Sequence, residues 1–147
     1  MLGFCREIGD AAGAAFALNN LGWVAAARGD HDRAGELYSE SLALYRSAGH
    51  LVGEANALTN LGALEFLHGN FEEAARRYDE NLTKIRAIDN RFDLPIALAN
   101  LADAFRHTGD SQRALALYNE AMPIYAELGN QYGIAQVQFG LGSIALD

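Results

Sequence analysis

The sequence repeats itself every 40 residues, and this period restricts the folds that the chain can adopt. A tetrapeptide around Asn20 recurs at that step without any insertion or deletion. Its copies are Asn19-Asn20-Leu21-Gly22, Thr59-Asn60-Leu61-Gly62, Ala99-Asn100-Leu101-Ala102 and the weaker Phe139-Gly140-Leu141-Gly142. A fixed period of this length is typical of solenoids, in which each unit buries its apolar face against the next unit. The sequence therefore predicts stacked repeats rather than one closed core.

Each period predicts two helices, because apolar and small residues recur in it at spacings of three and four. They are Leu18, Leu21, Gly22 and Ala25 in the first helix, then Ala34, Tyr38, Leu42 and Tyr45 in the second. Gly29-Asp30 and its copies are predicted connections, since glycine suits the end of a helix and Asp or Asn caps the next one. The predicted helices span 11–28, 31–48, 51–68, 71–88, 92–108, 111–128 and 131–145. The fold class is all-α.

Two details of these helices are also predicted. The helix 111–128 should bend at Pro123 without ending there, because proline removes one backbone hydrogen bond and its ring crowds the carbonyl of Asn119. Asn70 and Glu73 have the spacing of a capping box at the start of a second helix. Glu65 stands at a position where other repeats have packing residues, so it is either a buried carboxylate or one that reaches the surface.

The repeats predict one domain, 1–147, with its two ends inside repeat units. The units are about 11–50, 51–90, 91–130 and a partial 131–147. Residues 2–9 align with the last turns of the second helices, so we expect a fragment of a longer protein. Apolar stripes without a partner would favour self-association through the terminal helices. Those stripes are Leu2, Phe4, Cys5 and Ile8 at one end and Ile134, Val137, Leu141 and Ile144 at the other.

Charge and composition exclude several classes of partner. The chain has 11 basic and 19 acidic residues, a net charge of −8, and no basic run longer than Arg76-Arg77. Nucleic acid is therefore not expected as a partner, because duplex binding needs a concentrated cationic surface. No apolar run approaches the ~20 residues that span a bilayer, and the start lacks the features of a secretory signal. The lone Cys5 forms no internal disulfide, and a cytoplasmic location is expected.

The pattern resembles the tetratricopeptide repeat (TPR). The matching positions are Gly22, Gly62 and Ala102, then Ala34, Ala74 and Ala114, then Tyr38, Tyr78 and Tyr118. The forty-residue length is similar to the long-helix variety of kinesin light chains, Pins-like adaptors and the C-terminal repeats of bacterial multidomain regulators. The resemblance implies a right-handed α-solenoid of antiparallel helical hairpins, with three full repeats and a lone final helix. The family's tryptophan position departs from the pattern and holds Leu18, Leu58, Leu98 and Gln138.

The resemblance also implies a concave groove lined by the first helix of each repeat. In kinesin-light-chain-like and Pins-like domains, asparagines at the place of Asn20, Asn60 and Asn100 hold peptide backbones. The alternative is that these amides only join neighbouring helices. The other groove candidates also have two interpretations. Apolar pockets for a ligand and packing between helices are both possible for Trp23, Phe66 and Phe139. Asp103 and Arg106 form either a polar specificity site in the groove or an intrahelical ion pair.

The sequence offers no set of residues for catalysis, a cofactor or a metal. Its four histidines include no pair at i, i+4 spacing, and it has neither a phosphate-binding loop nor a Ser-His-Asp order. The basic clamp with which some TPR domains hold an acidic C-terminus is also missing, since its places hold Phe16, Asn19, Asn56, Thr59 and Asn60. We therefore expect a non-enzymatic scaffold that binds a protein or an extended peptide. The resemblance implies that this scaffold is part of a bacterial regulator. The alternative is a structural module that stacks on further repeats.

Overall fold

The computed structural model describes residues 10–146, which form seven α-helices and no strands. The helices are α1 (Ala11–Ala27), α2 (His31–Ala48), α3 (Leu51–Leu67), α4 (Phe71–Ala87), α5 (Leu94–Thr108), α6 (Ser111–Leu128) and α7 (Gln131–Leu146). Consecutive helices pack as hairpins, α1 with α2, α3 with α4 and α5 with α6, and α7 closes the described part of the stack. The predicted all-α fold with three hairpins and a final helix is confirmed. Cys5 and the apolar residues predicted at the first end lie outside the described residues.

Small residues let the two helices of a hairpin approach each other closely. A Cβ added to Gly22 would lie 2.7 Å from the Tyr38 ring, and one on Gly62 would lie 2.6 Å from the Tyr78 ring. Because real side chains avoid such distances, a residue larger than glycine at these crossings would require the tyrosine ring or the helix to shift. The tyrosines at these crossings are therefore buried in the core instead of lining the surface.

A second glycine–tyrosine contact joins consecutive repeats. The Tyr45 ring occupies the space that a Cβ of Gly53 would need, and Tyr125 does the same at Gly133. The middle repeat departs from this pairing, because it has Ile85 in place of the tyrosine and Asp93 in place of the glycine. The chain thus gives up one bulky contact between its second and third repeats.

The connection before α5 also departs from the repeat. Asp89 adopts φ +53°, in the register where Gly49 and Gly129 end their helices. The side-chain carbonyl of Asn90 accepts hydrogen bonds from the backbone N–H of Phe92 (3.2 Å) and of Asp93 (3.1 Å). This local turn satisfies backbone donors outside a helix, so α5 begins at Leu94 rather than at the predicted residue 92.

The predicted capping box at Asn70 is wrong. Asn70 makes no side-chain cap, and its Nδ2 instead donates to Glu65 Oε2 at 2.9 Å. Glu73 is held by ion pairs with Arg76 (3.0 Å) and Arg77 (3.5 Å). The Asn70 side chain is therefore bonded to the preceding helix and not to the first turn of α4. The half-buried Glu65 reaches the surface through this contact.

The last helix is better covered than its sequence suggests. Val137 is fully buried, and Ile134, Leu141 and Ile144 pack against the core of the second and third repeats. The interpretation of these four residues as an apolar stripe without a partner is therefore wrong. The helix α6 runs unbroken through Pro123, which confirms that the proline does not end it. The bend at Pro123 stays a prediction.

Candidate functional site

A polar pocket of about 240 Å³ lies where α1, α3 and α5 come side by side, with α4 behind them. We call it the amide pocket, because asparagine is its commonest lining residue. It is lined by Asn19, Asn56, Thr59, Asn60, Asn81, Ile85, Asp93, Ile96, Ala97 and Asn100. The structure thus brings Asn60 and Asn100 into one site. Asn20 is exposed on α1 and does not line the pocket, whereas its neighbour Asn19 does.

One hydrogen bond crosses the front of the amide pocket. Asn60 Nδ2 donates to Asn19 Oδ1 at 3.1 Å and so joins α3 to α1. The Oδ1 atom of Asn60 makes no hydrogen bond within residues 10–146, and neither do the side chains of Asn56 and Asn100. An amide group can donate and accept at once, so these atoms remain available to the backbone of a ligand.

Asn81 forms the floor of the amide pocket and was missed in the sequence. Its side chain is only 2% exposed, and its Nδ2 donates to the Ala55 carbonyl (2.7 Å) and to Thr59 Oγ1 (2.8 Å). Ser41 makes the matching bond to the Ala15 carbonyl in the first repeat, at 2.7 Å. Asn81 is therefore a structural bridge between α4 and α3. Unlike Ser41 it retains a carbonyl oxygen, Oδ1, with no hydrogen bond among the described residues.

The amide pocket exists because the glycine–tyrosine pairing is interrupted in the middle repeat. Both substituted positions, Ile85 and Asp93, line the pocket. In the flanking repeats the same space between helices is filled by Tyr45 against Gly53 and by Tyr125 against Gly133. A shorter side chain on α4 leaves this volume open, and the carboxylate of Asp93 borders it.

A second pocket, of about 430 Å³, lies between α3, α5 and α7. We call it the aromatic pocket. It is lined by Phe66, Asp103, Arg106, His107, Tyr132, Ala135, Gln136 and Phe139. Phe66 and His107 meet edge to face with ring centroids 5.0 Å apart, and Phe71 stacks on His107 at 4.5 Å. These contacts fix one wall of the pocket, while Phe139 on the opposite wall is 70% exposed.

Asp103 organises the polar base of the aromatic pocket. It accepts a hydrogen bond from the Tyr118 hydroxyl and another from Gln136 Nε2 at 2.9 Å. Arg106 lies farther off, with its Nη2 at 4.0 Å from Asp103 Oδ1, and its guanidinium carbon lies 5.8 Å from the centroid of the Phe139 ring. Burial, and then the hydrogen bond to Asp103, raise the pKa of Tyr118 well above its usual range. The hydroxyl therefore stays protonated at neutral pH and remains a donor to Asp103.

Most of the site residues predicted from the sequence lie in one of the two pockets, and Asn60 and Asn100 are in the amide pocket. Phe66, Asp103 and Arg106 come together in the aromatic pocket. Trp23 is 65% exposed on α1 and lines neither pocket.

Within residues 10–146 no group of three or more His, Cys, Asp or Glu side chains is placed to hold a metal ion. In the same part of the chain, no helix combines the length and apolar character that crossing a membrane requires.

Comparison with known families agrees with this architecture. A family model described as tetratricopeptide repeat matches residues 13–83 and again 53–127. The chain belongs to the tetratricopeptide repeat family. TPR domains generally mediate protein–protein interactions, and the family is typically non-enzymatic. No curated protein matches this chain.

Several solved structures share the fold at low sequence identity. BtubC (BKLC) from P. vanneervenii superimposes with a TM-score of 0.77 and 23% identity, over 88% of this chain and 54% of the BtubC chain. The TPR domain of Arabidopsis FLU gives 0.69 and 20% identity, over 80% of this chain and 96% of that domain. The N-terminal domain of stress-induced protein-1 from C. elegans gives 0.72 and 18%, over 88% and 96%. This chain thus spans about half of the BtubC chain.

Proposed function

We propose that this chain binds an extended segment of a partner protein along the face formed by α1, α3, α5 and α7. The observation that carries the proposal is the amide pocket, which is lined by the uncommitted amides of Asn56 and Asn100 and by Asn60, whose Oδ1 is also uncommitted. An extended peptide presents unpaired backbone N–H and C=O groups, and buried polar groups of that kind need partners. The aromatic pocket supplies a second contact, because exposed aromatic rings give a large contact area.

The proposed role is that of a scaffold, not an enzyme. Neither pocket places a nucleophile beside a general base, and Asp103 is engaged by Tyr118 and Gln136. The resemblance to the C-terminal repeats of bacterial multidomain regulators supports a cytoplasmic protein in which residues 1–147 form the binding domain. The sequence identity to the solved structures is below 25%, which supports a shared fold but not a shared partner. The proposed partner is therefore inferred from the two pockets.

Replacing Asn60 and Asn100 together by alanine is expected to lower the affinity for a bound peptide by about tenfold or more, because each lost amide leaves ligand backbone groups without a partner. The peptide is one selected on the wild-type chain from a displayed random library, and affinity is measured by calorimetry. The melting temperature should fall only slightly, since Asn60 gives up one half-buried bond to Asn19 and Asn100 gives up none.

The matched control is Asn119→Ala, which removes an exposed asparagine of α6 that lines neither pocket. It should bind the peptide as the wild type does. The proposal fails if the double variant keeps its affinity but loses much of its stability, because the amides would then serve only to join the helices.

A second candidate function is stacking on another copy through α7. Tyr132 and Leu146 are 84% and 90% exposed on this helix, in addition to Phe139. If this surface joins two copies, sedimentation velocity should show a larger species as the concentration rises, and Leu146→Asp should abolish it. A single monomeric species at all concentrations would exclude this function and leave peptide binding unaffected.

A further inference from the structure

We infer that the amide pocket selects a positively charged side chain, lysine or arginine, of the bound segment. The inference rests on the proposed function and adds the chemistry of the ligand to it. It is carried by two acceptor atoms without a hydrogen bond among the described residues, Asp93 Oδ1 and Asn81 Oδ1, whose residues line the same small pocket.

The charge of the amide pocket is that of Asp93 alone. Its Oδ2 accepts a hydrogen bond from Asn90 Nδ2 at 2.7 Å, and its Oδ1 has no hydrogen bond or ion pair among the described residues. No lysine, arginine or histidine lines the pocket. A carboxylate beside a partly closed pocket attracts a cation, because its charge is less screened there than on an open surface.

The three cations nearest to Asp93 along the sequence are already paired elsewhere. Their partners are Glu54 for Lys84 at 3.2 Å, Glu120 for Arg86 at 3.0 Å, and Glu127 for Arg91. Each of these arginines and this lysine therefore has a carboxylate other than Asp93. A ligand cation would not compete with these three side chains for the Asp93 carboxylate.

Asn81 supplies the second acceptor. Both of its hydrogen bonds among the described residues use Nδ2 and run to α3, so Oδ1 is the polar atom that it can present to the pocket. Asn81 lines the pocket although it is only 2% exposed, so a ligand donor that enters the pocket can give this oxygen a partner. Guanidinium and ammonium groups carry three to five N–H donors and no acceptor, which fits one carboxylate and several amide oxygens.

The size and walls of the amide pocket suit a single long basic side chain. Its volume of about 240 Å³ lies below the range of about 300–1,000 Å³ that is typical of sites for whole small molecules. Ile85, Ile96 and Ala97 provide apolar walls for the methylene stem, while the charged end meets Asp93 and Asn81. An acidic side chain would instead meet the charge of Asp93.

The two pockets also predict a spacing in the ligand. Equivalent lining positions on α5 lie seven residues apart, as Ile96 and Asp103 do, or Asn100 and His107. Seven helical residues correspond to roughly 10 Å along the axis, which about three residues of an extended peptide span. The pockets are also offset across the helices, since α1 borders one and α7 the other, so we expect the basic residue at least three positions from an aromatic or large apolar residue.

The test is selection of a phage-displayed random peptide library on the whole chain, followed by sequencing of the enriched peptides. Lysine or arginine should be enriched at one position, with an aromatic or large apolar residue three or more positions away. A synthetic peptide from this set, with its basic residue replaced by norleucine, should bind about tenfold more weakly or worse, because it loses charge-assisted hydrogen bonds.

Two variants assign the effect to the amide pocket. Asp93→Asn should remove the difference between the basic peptide and its norleucine form, while the control Asp32→Asn, at an exposed position of α2 outside both pockets, should preserve it. The double variant Ile85→Tyr, Asp93→Gly restores the pairing of the flanking repeats. It should fold, fill the pocket and lose the preference for a basic residue.

The outcomes separate the two proposals. Enriched peptides with no basic position, or with an acidic one, overturn this inference and leave peptide binding intact. A basic preference that persists in Asp93→Asn and in the filled double variant also overturns it. Failure to enrich any peptide contradicts the proposed function itself, and the inference falls with it.

Discussion

Replacing Gly53 by alanine is expected to destabilise the protein by about 2 kcal/mol, although the same change in most helices is favourable. The Tyr45 ring occupies the position of the new Cβ, so either the ring or the contact between α2 and α3 must shift. Overpacking of a core in this way costs roughly 1–3 kcal/mol or more, which exceeds the gain of about 1 kcal/mol in helix propensity. Chemical denaturation monitored by circular dichroism measures the difference.

Gly35 provides the matched control, because it also lies inside a helix. Its added Cβ would meet only Leu64, at 3.9 Å, which is an ordinary contact. Gly35→Ala should therefore stabilise the protein by up to about 1 kcal/mol, through the helix propensity alone. The two substitutions are chemically identical, so an opposite sign isolates the tyrosine contact.

The middle repeat suggests the rescue. Ile85 replaces the tyrosine in that repeat, and the residue opposite is Asp93 rather than glycine. In a Tyr45→Ile background, Gly53→Ala should therefore lose most of its cost, and the double-mutant cycle should show a coupling above about 1 kcal/mol. If the penalty of Gly53→Ala is the same in both backgrounds, the ring does not determine the need for glycine.

The fold was predictable because its information is local and repeated. A period of 40 residues, a spacing of three and four within it and a Gly-Asp connection specify helices and their neighbours without knowledge of distant contacts. The predicted helix ends agree with the structure to within two residues. The largest difference, of two residues, is at the start of α5, where the Asn90 side chain forms a local turn.

The amide pocket was harder to predict, because it depends on where the repeat fails. The recurring asparagines drew attention to Asn20, but adjacent residues of a helix point about 100° apart, and only the rotation of α1 against α3 selects Asn19. Asn81 lies on a second helix, outside the expected groove. A signal for the pocket was nevertheless present, since Ile85 and Asp93 break the glycine–tyrosine pairing together.

Asn70 shows that hydrogen-bond partners are harder to predict from the sequence than helix ends. The capping box was inferred from residues on one side of the helix start, whereas Glu65, which accepts a hydrogen bond from Asn70 Nδ2, lies five residues earlier on α3. Which partner an amide chooses depends on the geometry of the connection. A local pattern can predict the helix start correctly and still assign the wrong hydrogen bond.

Replacing Lys84 by methionine is expected to lower the free energy of unfolding by about 2–3 kcal/mol, which is more than the loss of an exposed ion pair should cost. Lys84 Nζ lies 3.2 Å from Glu54 Oε2, and the Glu54 side chain is only 6% exposed. Methionine retains the apolar stem but leaves a buried carboxylate whose remaining cation, Arg46, lies at 3.9 Å and also pairs with Glu80. Removing one partner of a buried pair is costly because the other charge stays desolvated.

Two comparisons make this prediction decisive. Arg86→Met breaks the exposed pair with Glu120, at 3.0 Å, and should cost less than about 1 kcal/mol. Glu54→Leu places an apolar residue in the register where the other repeats have Ala14, Leu94 and Ile134, so it should be nearly neutral and should rescue Lys84→Met in the double variant. If Lys84→Met costs no more than Arg86→Met, or if Glu54→Leu does not rescue it, the buried carboxylate is not what makes Lys84 necessary.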